Sequence, residues 1–98
     1  MSSQSCFVML LSIELGIPLA RSLKDKRRGV KGLKERLRSR FNASVAEVGY
    51  LDKWQRTLIA VCLVGNDKRQ LESDAARIRT LCEEAGDLAI ISLEQAWL

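Results

Sequence analysis

Histidine is absent from this 98-residue chain. That removes the side chain most often recruited for general acid-base and nucleophilic work, and with it the commonest catalytic dyads. Cysteine is scarce. Cys6, Cys62 and Cys82 are odd in number, widely spaced, form no CxxC pair and have no histidine to complete a zinc site. They read as reduced core thiols, so no metal site is assigned. Gly-rich phosphate loops of the Walker or dinucleotide type are missing, and no cofactor, small-molecule substrate or catalytic residue is identified. Glu14 and Glu47 could face each other across a sheet, but paired carboxylates there read as solvated. The longest apolar stretch near the start, Cys6 to Leu11, is far shorter than a membrane span, and no basic region precedes it as a signal peptide requires. A cytoplasmic, non-enzymatic protein with no membrane partner is expected.

What is present is ordinary globular material, 47% hydrophobic and 29% charged. The length suits a single domain over residues 1–98, with polar Met1 to Ser5 expected to be disordered. Phe7 to Leu15 alternates as a strand. A turn containing the sole proline, Pro18, ends at Ser22, and Asp25 three residues on completes a capping box. At helical spacing Leu23, Val30, Leu33, Leu37 and Phe41 gather on one side, which predicts an amphipathic helix from Leu23 to about Ser39. Asn42 to Tyr50 and Trp54 to Gly65 read as strands joined by a hairpin at Leu51-Asp52-Lys53. Asn66 or Asp67 caps a second helix carrying Leu71, Ala75, Ile78, Leu81, Cys82 and Ala85, and Gly86 stops it. Asp87 to about Gln95 is a last strand. The order β-α-β-β-α-β predicts an α+β ferredoxin-like sandwich, a four-stranded antiparallel sheet in the order 4-1-3-2 with both helices on one face.

The sheet face turned away from the helices is expected to hold Ser12, Glu14, Glu47, Ser92 and Glu94, in phase with Val8, Leu10, Val45 and Ile90. Half of that face is apolar. A homo-oligomer interface through Val8, Leu10, Val45 and Ile90 is therefore expected.

Charge is unevenly distributed. Arg21 to Arg40 holds ten of the 16 Lys and Arg residues but only two of the 12 acids, Asp25 and Glu35, so this segment is +8 while the rest is −4. On the helix, Lys24, Arg27, Arg28, Lys31, Lys34 and Arg38 share one flank, whereas Lys26 falls inside the apolar arc and must snorkel out or pair with a carboxylate. A solvated face that keeps the protein soluble is the plain reading. A face that concentrates one sign this strongly also fits phosphate binding. The expected nucleic-acid contacts are Lys24, Lys26, Arg27, Arg28, Lys31, Lys34 and Arg38. The RRM mode is excluded, because that module stacks bases on strand aromatics and the third strand here (RTLIAVCL) has none. Gly29-Val30-Lys31-Gly32 matches the KH-type GxxG loop; one continuous helix with two solvent-side glycines, each costing about 1 kcal/mol relative to alanine, is preferred. Asp52, Trp54 and Gln55 at the hairpin form a candidate recognition spot, unless Trp54 simply caps the core.

Taken together, SLKDKRR at Ser22–Arg28, FNASVAEV at Phe41–Val48 and DKWQ at Asp52–Gln55 resemble the YlxP-like family (DUF503), small bacterial proteins of unknown function. The likeness runs over nearly the whole chain. It implies the same ferredoxin-like fold, no established activity, and an association in many genomes with genes for translation and ribosome maturation. By that resemblance the basic helix meets RNA or the ribosome, with Lys24, Lys26, Arg27 and Arg28 at the matching positions. The competing expectation is an interaction module that self-associates, or docks an acidic protein, through the aliphatic sheet face.

Overall fold

The computed structural model describes residues 5–98. Of the stretch 1–5 expected to be disordered, residues 1–4 lie outside the described residues. The elements follow in the order β1 (Phe7–Gly16), α1 (Leu23–Arg40), β2 (Ala43–Gly49), β3 (Arg56–Gly65), α2 (Lys68–Glu84) and β4 (Ala89–Trp97). The sheet order is β2-β3-β1-β4 with every pair antiparallel. This is the α+β ferredoxin-like arrangement.

Alternation decides which face is covered. In β1, Met9, Leu11, Ile13 and Leu15 are fully buried, and in β3 their partners Leu63, Val61, Ile59 and Thr57 are buried with them. The helices supply the other layer: Val30, Leu33 and Leu37 from α1, and Leu71, Ala75, Ile78, Leu81 and Cys82 from α2, join one core. Each such leucine or isoleucine contributes roughly 1.5–3 kcal/mol relative to an exposed one. No helix among the described residues is long and apolar enough to cross a membrane.

The helix ends follow from their capping residues. The Ser22 hydroxyl accepts from the Asp25 N–H at 3.0 Å, as a capping box requires, while the Asp25 carboxylate accepts from the N–H of Arg21 rather than that of Ser22. Asp67 caps α2 by accepting from the Arg69 N–H at 2.9 Å. α1 runs unbroken through Gly29 and Gly32, so GVKG is a stretch of helix and not a KH loop.

Two strand phases differ from the expected ones. Val45 and Glu47 pair with Val61 and Ile59, and cross-strand partners share a face, so both point toward the helices. Val45 is accordingly in the core and not on the open face. Near the start of β4 the register shifts: Ser92 pairs with Glu14 but Ile90 pairs with Leu15. The extra residue, Ile91, is a bulge. It turns Ile90 onto the helix side, where it packs against the core, and leaves Ile91 half-exposed. Of the four expected interface residues, Val8 and Leu10 are in the open-face phase, while Val45 and Ile90 are not. Cys6 and Cys62 also depart from the core-thiol reading: Cys6 is exposed ahead of β1, and Cys62 pairs with Leu10 on the open face, partly exposed, so that of the three Cys82 alone joins the core.

Candidate nucleic-acid interface

α1 buries a narrow stripe and leaves its cations outside. At about 100° per residue, Arg27, Lys31, Lys34 and Arg38 fall within about 60° of one another and extend over about 16 Å of helix axis. Lys24, Arg27, Lys31 and Arg38 are exposed and Lys34 is half-buried. Arg38 fixes where this stripe lies, because its Nη2 donates to the Val45 carbonyl of β2 at 2.7 Å. The stripe therefore runs along the outer edge of β2. None of Lys24, Arg27, Lys31 or Lys34 has a carboxylate within ion-pair distance among the described residues. Their charge remains available to an external anion.

Two of the expected contacts are placed elsewhere. Arg28 lines a separate cleft between α1, the turn that precedes it (Ile17, Leu19 and Ala20) and Asp87 ahead of β4, together with Gly29, Gly32 and Arg36. Lys26 is corrected outright: its side chain is 1% exposed, and its Nζ lies 2.8 Å from Glu47 Oε2 and also donates to the Tyr50 carbonyl. The Thr57 hydroxyl donates to the same Glu47 oxygen at 2.7 Å. An ammonium on the apolar side of a helix needs such partners, since an unpaired buried charge is costly. Lys26 thus ties the first turn of α1 to the β2–β3 hairpin and cannot reach phosphate. The sequence carried a signal for this pair: a lysine inside an apolar arc and a glutamate in a strand beside valines are complementary misfits.

At the hairpin, Tyr50 adopts a left-handed backbone conformation (φ 57°), and its carbonyl accepts from the Lys53 N–H at 3.0 Å. Trp54 is half-exposed and lines an open groove of about 760 Å³ with Tyr50, Asp52, Arg56 and Ile91. It does not cap the core. Gln55 does have a structural task, its amide donating to the carbonyls of Pro18 and Ala20 at 3.2 and 3.1 Å. Arg56 lies over the Tyr50 ring, 5.0 Å from its centroid, and is paired with Glu14, whose hydrogen bond holds the guanidinium pKa above its ordinary value. Glu14 and Glu47 point to opposite faces of the sheet, so they form no carboxylate pair. Burial pushes the Cys82 thiol up to about 11, which keeps it protonated at neutral pH.

Comparison with known proteins finds similarity over most of the chain. The family model described as "Protein of unknown function (DUF503)" matches residues 8–95. The chain is 39% identical over 59 residues to the uncharacterized protein YlxP of Bacillus subtilis (strain 168), a match covering 60% of this chain and 64% of that relative. The matched stretch spans just under two thirds of the relative's length.

Proposed function

The chain belongs to the DUF503 family of proteins of unknown function, and we propose that it is a cytoplasmic, non-enzymatic accessory protein that binds RNA, free or within the ribosome, through the outer flank of α1. One observation supports this reading above the others: Lys24, Arg27, Lys31 and Lys34 lie along one rigid helix flank with no internal carboxylate partner among the described residues. Like charges at such spacing repel by a few tenths of a kcal/mol per close pair, and a polyanion relieves that repulsion while releasing its own counterions. The phosphates of an RNA strand are the natural counter-charge. Backbone contact of this kind positions without reading sequence, so affinity is expected to exceed base selectivity. The resemblance to a family associated with translation genes favours RNA over DNA. Titration of labelled ribosomal and unrelated RNA with the protein tests the proposal. Binding lost on reversing Lys24, Arg27, Lys31 and Lys34 to Glu supports it, and equal binding by a folded reversed protein refutes it.

A further inference from the structure

The two edges of the sheet are treated differently. β2, the edge beside the basic stripe, is seven residues long, and Arg38 occupies the Val45 carbonyl. Such a contact blunts a strand edge against pairing. β4, the opposite edge, is nine residues long and carries a single charge, Glu94. It has neither lysine nor proline. The Leu98 N–H donates to the Val8 carbonyl at 2.8 Å. Backbone groups alternate in direction along a strand, so those of Leu93, Gln95 and Trp97 point away from β1, where no other strand lies among the described residues.

Above this open edge is a groove of about 640 Å³, with Leu93 and Gln95 of β4 as its floor and Glu72, Ala75, Ala76 and Arg79 of α2 as its wall. Glu72 and Arg79 are seven residues apart, hence two turns apart on one side of the helix, and the alanines lie midway between them. Neither charge has an ion-pair partner among the described residues. An acid, two small residues and a base make a self-complementary sequence. In an antiparallel copy of α2, the base meets the acid at both ends and the exposed Ala76 of each copy meets at the crossing.

We propose that this edge is a homodimer interface: a second copy of the chain docks antiparallel on β4, joining the two sheets into one of eight strands, with α2 against its counterpart. This is an isologous contact, in which each charge pair occurs twice. The charge on β4 constrains the register. A two-fold axis at Glu94 would set two carboxylates directly opposite, which is destabilising. An axis at Leu93 instead opposes Glu94 to Ser92 of the second copy and brings the two Leu93 side chains together on the groove floor. The stripe on α1 lies beside β2, the far edge of the sheet, so dimerisation and phosphate binding are separable. The open-face residues Val8 and Leu10 take no part.

Sedimentation equilibrium with charge-swapped variants tests the proposal. The wild-type chain is expected at twice its monomer mass. Glu72→Arg and Arg79→Glu should each weaken the dimer by about tenfold or more, since each creates two like-charge contacts. Both the doubly swapped chain and an equimolar mixture of the two single variants should recover the dimer, because opposite charges again meet. Leu10→Asp should leave association unchanged. Far-UV circular dichroism of each variant confirms that it is folded. A wild-type chain that stays monomeric at high micromolar concentration, or a dimer indifferent to both single reversals, overturns the proposal. So does a dimer abolished by Leu10→Asp in a folded chain.

Discussion

Lys26 and Glu47 meet at 2.8 Å between α1 and β2, so the most cationic element of the chain is anchored to the sheet by one of its own cations. Lys26 is almost wholly enclosed whereas Glu47 retains 18% of its side-chain exposure. Removing one partner of a buried pair costs about 3–5 kcal/mol, because the other charge is left uncompensated. The more enclosed charge suffers more. Glu47→Leu is therefore expected to destabilise more than Lys26→Met, and the double variant to recover most of the loss. Urea denaturation of the three variants measures the order.

The glycines of α1 are expected to behave unlike that of β2. A Cβ built on Gly32 meets nothing within 4 Å among the described residues, whereas one on Gly49 comes within 3.0 Å of the Leu58 side chain. Gly32→Ala should stabilise by about 0.5–1 kcal/mol through the lower entropy cost of ordering alanine in a helix. Gly49→Ala should destabilise, since the hairpin must shift to admit the methyl group. Melting temperatures of the two variants should move in opposite directions.

The cysteines should separate by reactivity. Cys6 is exposed while Cys82 is buried, its thiol pKa raised by burial to about 11. A disulfide reagent at pH 8 should label Cys6 rapidly and Cys82 only after unfolding, because the thiolate is the reactive form. A raised thiol pKa means that the folded chain holds this proton more tightly than the unfolded one. Its contribution to stability is complete below the ordinary thiol pKa of about 9 and is lost as pH rises toward about 11. Denaturation midpoints at pH 8 and pH 10.5, compared between wild type and Cys82→Ala, isolate this part.

The fold was legible because its signals are long: nine alternating residues in the first strand and two helices with clear caps. Phase within the outer strands was not. β2 reads ASVAEVG, with small or apolar residues in both phases, and its one charge points inward because Lys26 waits there. In β4 a single bulged residue, Ile91, reverses the face of Ile90, and nothing local marks the bulge. The cation stripe was legible for most of its members, since helical spacing alone places Lys24, Arg27, Lys31 and Lys34 together. Arg38 shows the limit. Its bond to the Val45 carbonyl depends on how closely the helix packs beside a strand seven residues away, which no periodicity reveals.

The central claim is that the α1 flank binds RNA phosphates, and affinity for a labelled single-stranded ribosomal RNA fragment measured across a salt series tests it most directly. If about four phosphates are engaged, log K for a single strand should fall against log salt with a slope of about −3. Reversal of Lys24, Arg27, Lys31 and Lys34 to Glu should abolish that binding without unfolding the domain, since none of the four has an ion-pair partner among the described residues. A folded reversed protein that binds with unchanged affinity and slope, or a wild-type chain that fails to bind at low salt, would contradict the account.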